Sequence, residues 1–268
     1  MTLLILGGTA DGRRIAEAAF LQNINVIYSV AGLVRTPNLS CEVISGGFTQ
    51  FGGIENYINQ RNISAILDVT HPYAQQMSDK AAKGASVLRI PYWRYHREPW
   101  QASGQQQWHE YDNNQQLAAE LGQYSSVLLS IGQLEPALIK LIDGLKLNAQ
   151  STCSPSINFL SAQQYIVRTA AAAKFNLLDN MQWLKAIGPF TLEDELSLLK
   201  KYDIKAIVTK NSGGEATKAK LEAAKMLSIP IYIQSRPELP MADQLFTEHS
   251  SCLTFLIAFS KRFSHCFQ

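Results

Sequence analysis

Short apolar runs alternate along this chain with stretches in which apolar residues recur at helical spacing, the pattern of a parallel sheet whose strands are joined by helices. The pattern predicts strands near Leu3–Leu6, Val26–Val30, Glu42–Ser45, Ala65–Val69 and Val87–Ile90, with helices near Gly12–Leu21, Ile54–Arg61 and Ala74–Lys83. From Glu98 to Gln107 the apolar period gives way to small and polar residues, the composition of an exposed connection. Beyond it the alternation predicts strands near Val127–Ser130, Ile166–Arg168, Ile204–Thr209 and Ile229–Ile233, and helices near Gln115–Leu121, Leu192–Lys200 and Glu215–Leu227. The stretch Ala242–Arg262 reads as one or two helices. The expected fold is α/β: two Rossmann-like domains with mostly parallel sheets, residues 1–98 and 99–268, with a ligand cleft between them.

The first strand runs into Gly7-Gly8-Thr9-Ala10-Asp11-Gly12-Arg13, a glycine turn that opens a helix. Such a turn points backbone N–H groups at the positive end of the helix dipole, where a phosphate can sit. The dinucleotide fingerprint G-x-G-x-x-G is incomplete here, because Thr9 takes the second glycine position and would have to offer its hydroxyl as a donor in place of close backbone approach. A bare strand-to-helix turn is the alternative. NAD-binding folds place an acid after the second strand, yet no acid appears before Glu42, and Ser29, Arg35 and Thr36 stand there instead. A hydroxyl and an arginine suit the 2′-phosphate of NADP(H) better than a carboxylate does.

Other strand ends carry polar groups. Asp68-Val69-Thr70-His71-Pro72 ends the fourth strand, where ligands of open α/β sheets bind, and Thr70 or His71 could equally cap the next helix. Ser130-Ile131-Gly132-Gln133 is a smaller site of the same kind. Val208-Thr209-Lys210-Asn211-Ser212-Gly213-Gly214 delivers a lysine to a strand end before a glycine turn and a helix, a second anion-receiving loop unless Ser212 merely caps that helix. The stretch Arg89 to Trp100, with Arg94 and Arg97 among large rings, suits a flat anionic ligand, a single-stranded nucleic acid, or a strand with buried aromatics and solvated arginines.

Composition narrows the classes. Hydrophobic residues make up 46% and charged residues 17% of the 268, an ordinary globular balance, and a formal net charge of +2 gives no case for nucleic acid. The four cysteines form no C-x-x-C pair and no cluster with histidine, so no metal site or disulfide framework is expected, in keeping with a cytoplasmic location. Neither the N-terminal apolar run nor Leu253–Phe259 is long enough for a signal peptide or a membrane span. No G-x-S-x-G elbow and no metalloprotease helix is present.

Taken together the motifs resemble one family, the precorrin-6A reductases of cobalamin biosynthesis, including the cobalt-precorrin-6A reductases. The resemblance is carried by Leu6-Gly7-Gly8-Thr9 with Asp11, Ala31-Gly32 before Arg35-Thr36, Gly46-Gly47-Phe48, Asp68 to Ala74, Pro99-Trp100, Gly188-Pro189-Phe190-Thr191, and Val208 to Gly214 with Lys218, Lys220, Ile229-Pro230 and Arg236-Pro237. Asp11 stands where the family commonly has glutamate, and Gln133 where an arginine is expected. The resemblance implies NADPH-dependent reduction of one double bond of an anionic, polycarboxylate tetrapyrrole to precorrin-6B or its cobalt form. It implies Gly7, Gly8, Thr9, Asp11 and Arg13 at the dinucleotide, Ser29, Arg35 and Thr36 at its ribose end, and Thr70 near the nicotinamide. It makes His71 and Lys210 the candidate proton donors, and Ser212, Gly213, Gly214, Arg94 and Arg97 the substrate contacts. A monomer or weak homo-oligomer without nucleic-acid or membrane partners is expected. An NADP(H)-binding sensor without turnover is the alternative.

Overall fold

The computed structural model describes residues 1–31, 37–151, 163–172 and 176–265. The chain divides into two units, Met1–Glu98 with Pro237–Gln268, and Pro99–Arg236. The break at Glu98 falls where the composition changes, but the last segment, expected in the second domain, belongs to the first.

The first unit contains β1 (Thr2–Leu6), α1 (Ala10–Leu21), β2 (Asn25–Val30), β3 (Glu42–Ser45), α2 (Ile54–Gln60), β4 (Ala65–Asp68), α3 (Gln75–Leu88) and β5 (Tyr92–Tyr95). The second contains β6 (Trp108–Tyr111), α4 (Asn114–Leu121), β7 (Ser126–Ser130), α5 (Pro136–Ser151), β8 (Gln164–Thr169), β9 (Met181–Lys185), α6 (Leu192–Lys201), β10 (Ala206–Lys210), α7 (Ala219–Met226) and β11 (Ile231–Gln234). β12 (Gln244–Phe246) and α8 (His249–His265) return to the first.

Each unit holds a six-stranded, all-parallel sheet, in the order β12-β5-β4-β1-β2-β3 and β6-β11-β10-β7-β8-β9. The winding is the same in both: the central strands β1 and β7 each have their next two strands on one side and the two after those on the other. Only the outermost strand differs in origin, since β12 is the last strand of the chain and β6 is the first strand of its unit. The order reverses between β1 and β4, and between β7 and β10, and such switch points are where open α/β sheets bind ligands.

Period-two alternation distributes the first core. Leu3 and Ile5 face Ile15, Ala16 and Ala19 of α1 with Cys252 and Leu256 of α8, whereas Leu4 and Leu6 face Ile54 and Ile58 of α2 with Ala81 and Ala85 of α3. Each fully buried Leu or Ile contributes roughly 1.5–3 kcal/mol. Trp93 of β5 packs edge-on against Phe255 and Phe259 of α8, at 5.0 and 4.6 Å between ring centroids.

Several expected elements move. α3 runs into the start of the predicted strand at Val87–Ile90, ending at Leu88 where Arg89 adopts a left-handed φ of 54°, and the strand is Tyr92–Tyr95. The stretch Ala242–Arg262 contains a strand and one helix. A 3-10 turn at Glu215–Thr217 precedes the shorter α7, and the connection after Glu98 is not wholly exposed, because Trp100 is buried in the second core.

Candidate functional site

The glycine loop at the end of β1 is shaped by Tyr28 of β2. A Cβ on Gly7 would lie 2.0 Å from Tyr28 Cζ, so only glycine leaves room for the ring, and the Tyr28 hydroxyl accepts the Gly8 N–H at 3.0 Å. Gly8 has φ 109° and open space around a notional Cβ. Thr9 is the N-cap of α1: its Oγ1 accepts the Gly12 N–H at 3.0 Å and donates to the Val69 carbonyl at 2.8 Å. The hydroxyl expected to face a phosphate is therefore spent on joining the loop to the end of β4, and Arg13 stands exposed one residue beyond Gly12. Ser29 is buried, with its carbonyl accepting the Gly7 N–H. Arg35 and Thr36 lie outside the described residues.

Asp11, expected at the dinucleotide, turns inward. Its carboxylate pairs with Arg14 at 2.8 Å, Arg97 at 3.0 Å and His249 Nε2 at 2.9 Å. Burial raises its pKa, and the Arg97 charge with hydrogen bonds from His249 and Arg14 more than reverses this, holding the carboxyl below its ordinary value. The acid in the loop is thus offset by basic groups from α1, the segment after β5, and α8.

At the end of β4, Asp68 is buried and its carboxylate takes hydrogen bonds from the Thr70 N–H (3.0 Å), Thr70 Oγ1 (2.7 Å), Ser78 Oγ (2.6 Å) and the Tyr92 hydroxyl (2.7 Å). This ties Thr70 down and presents His71 in the exposed turn before α3; neither residue caps that helix, whose N-cap is Ala74. Arg94, expected to contact substrate, is only 7% exposed and donates to the Pro240 carbonyl and the Tyr92 hydroxyl at 2.8 and 2.7 Å. The guanidinium is turned onto protein partners because the arginine sits inside a fully buried strand.

In the second unit, Lys210 ends β10 half-buried; burial lowers its pKa, with Glu135 opposing. Asn211, Ser212, Gly213 and Gly214 follow, with Gly213 at φ 68°. Ser212 Oγ lies 3.4 Å from Thr217 Oγ1, and the N-cap of the 3-10 turn is Gly214, so Ser212 is not the cap. Beneath the loop, Lys220 Nζ donates to Thr209 Oγ1 at 2.9 Å and Ser130 Oγ at 3.4 Å, while Arg168 pairs with Glu195 at 2.9 Å and reaches Ser130 Oγ at 3.3 Å.

Tyr28, Asp68, His249 and Lys220 each shape these loops, and sequence periodicity gives them no distinct signal. Only a polar residue at a strand end, as at Asp68, is a readable hint. Among the described residues no helix is long and apolar enough to cross a membrane.

The model of the family described as "Precorrin-6x reductase CbiJ/CobK" matches residues 2–256. The chain is 31% identical over 265 residues to the precorrin-6A reductase of Rhodococcus erythropolis, covering 97% of this chain and 99% of that one. It is 27% identical over 249 residues to the cobalt-precorrin-6A reductase of Priestia megaterium, covering 88% and 91%. The solved structure of a CobK precorrin-6A reductase superposes with a TM-score of 0.80 at 27% identity, covering 96% of both chains. With every strand of both sheets and both switch-point loops inside the matched span, this chain belongs to the CbiJ/CobK precorrin-6x reductase family.

Proposed function

We propose that this chain reduces one carbon–carbon double bond in the macrocycle of precorrin-6A, or of its cobalt form, with NADPH as the reductant, giving precorrin-6B. The observation that carries the reading is the family match across both units. The residues of the first loop fit a dinucleotide. Open space surrounds Gly8, the first turn of α1 offers backbone N–H groups, and Asp11 is turned away and neutralised, so it does not repel phosphate. Arg13 is the exposed cation of that turn. Ser29 lies near the end of β2 and Arg35 and Thr36 follow that strand in the sequence, where the ribose 2′-phosphate of NADPH is read in such folds.

The nicotinamide supplies hydride to one carbon of the double bond, and a proton must reach its neighbour. Two groups can give that proton. His71 stands in the exposed turn fixed by Asp68 and Thr70, and burial moves Lys210 toward releasing its own proton. The Ser212–Gly214 loop offers polar backbone to the substrate carboxylates. Arg97 enters through its charge on Asp11.

Anaerobic incubation with precorrin-6A and NADPH, followed by mass spectrometry of the tetrapyrrole, tests the reading. The expected result is a gain of two hydrogens matched mole for mole by NADPH oxidation. Parallel reactions with NADH and with cobalt-precorrin-6A assign the cofactor and the metal state. Tight NADPH binding without oxidation in the presence of either tetrapyrrole replaces the reductase with a sensor.

A further inference from the structure

The end of β7 carries a hydroxyl whose hydrogen has one direction left. Ser130 pairs with Thr209 across the switch point of the second sheet. Its Oγ receives Lys220 Nζ at 3.4 Å and Arg168 Nη2 at 3.3 Å. An ammonium and a guanidinium can only donate, so they occupy both lone pairs of the hydroxyl. The Ser130 hydrogen must then point away from them, and no acceptor for it stands among the described residues.

The charge balance points the same way. Arg168 is matched by Glu195, which is fully buried and chelated at 2.9 and 3.0 Å. Lys220, only 4% exposed, adds a second cation, and the groups around its Nζ are the Thr209 and Ser130 hydroxyls and, at 5.6 Å, the Trp100 ring. With Lys220 protonated, the cluster holds one buried positive charge in excess of its carboxylate. A buried charge without a counter-charge is costly, and an anion drawn to the adjacent strand ends offsets it.

We propose that Ser130 binds a carboxylate oxygen of the tetrapyrrole as a hydrogen-bond donor, and that Lys220 and Arg168 are positioning residues that commit it to donate. This rests on the reductase reading above. Lys220 makes the device dependent on pH. Burial and the Arg168 charge bring its pKa down to about 7, with Glu195 opposing. Once deprotonated, Nζ can accept a hydrogen bond, the Ser130 hydrogen turns inward, and donation to the substrate stops.

Steady-state kinetics of tetrapyrrole reduction between about pH 6 and pH 9 test the proposal. Ser130→Ala raises KM for the tetrapyrrole roughly tenfold at the acid end, the size of one hydrogen bond to a charged group, and leaves KM for NADPH in place. In the wild type KM for the tetrapyrrole climbs above about pH 7. Lys220→Met raises it throughout and removes the pH dependence, whereas Lys220→Arg keeps a low KM at alkaline pH. Methionine fills a similar volume without a charge, and thermal melting confirms that the variant folds. A wild-type KM in Ser130→Ala overturns the assignment alone. A rise confined to KM for NADPH overturns it too, giving the hydroxyl to a nucleotide phosphate instead. Absence of turnover by the wild type with either form of precorrin-6A overturns the reductase reading and this assignment with it.

Discussion

Asn211 grips the backbone of Trp100 from both sides: its Oδ1 accepts the Trp100 N–H at 2.7 Å and its Nδ2 donates to the Trp100 carbonyl at 3.0 Å. The Asn211 carbonyl also accepts Arg236 Nε at 2.8 Å. Trp100 and Arg236 stand at the two ends of the second unit, so one residue of the candidate loop ties both ends of that unit together. Asn211→Ala leaves the buried N–H and carbonyl of Trp100 without these partners, and we expect a loss of about 2–4 kcal/mol in urea unfolding. Asn211→Asp keeps the acceptor and loses the donor, and falls between the two.

Gly7 and Gly8 are adjacent and have different reasons to be glycine. Gly7→Ala drives a methyl into the Tyr28 ring and is expected to cost about 3 kcal/mol or more, visible as a lowered Tm. Gly8→Ala meets no atom in the protein, so its stability cost is limited to about 1–2 kcal/mol of backbone strain at φ 109°. On the proposed function its larger effect falls on the nicotinamide cofactor, and KM for NADPH is expected to rise because the methyl enters the space proposed for the dinucleotide.

Asp11→Asn removes the charge that holds Arg97 and His249 beside α1. Since the native carboxyl titrates below its ordinary value, its contribution to stability is complete above the unfolded pKa of about 3.9 and fades as pH falls through the lower, native one. The stability gap between wild type and variant is therefore constant near neutrality and closes in acid. Denaturation curves at pH 7, 5 and 3 check this.

His71→Ala and Lys210→Ala separate the two groups proposed as the proton donor. The donor's removal lowers kcat on the order of a hundredfold with little change in KM for the tetrapyrrole, while loss of the other leaves kcat within a few fold. Equal kcat in both variants and the wild type assigns protonation to water.

The alternating pattern made the parallel sheets legible because a strand covered by helices on both faces must carry a near-continuous apolar run, as Leu3–Leu6 of β1 and Ala65–Leu67 of β4 do. It failed at β5, where Arg94 breaks the apolar run although the strand is wholly buried, and where the neighbouring Val87, 63% exposed, imitates a strand from the end of a helix. The edge strands β6, β9 and β12 were missed because their polar positions face solvent and their partners lie far away in sequence. At the site, the glycine loop and Lys210 were readable from local spacing. The inward turn of Asp11 was not, since it depends on His249, 238 residues away. Nor was the role of Lys220, because a lysine on a helix carries no mark of burial until the strands it meets are known.

The late arrival of β12 and α8 sets an order of assembly. When synthesis reaches Arg236, every strand of the second sheet has been made, whereas the first sheet still has β5 as an unpaired edge and the α1 face still lacks Phe246, Cys252 and Leu256. The unit that begins the chain is the last to be completed. Until its closing helix emerges it exposes an apolar face and a strand edge, the features that recruit chaperones or promote aggregation.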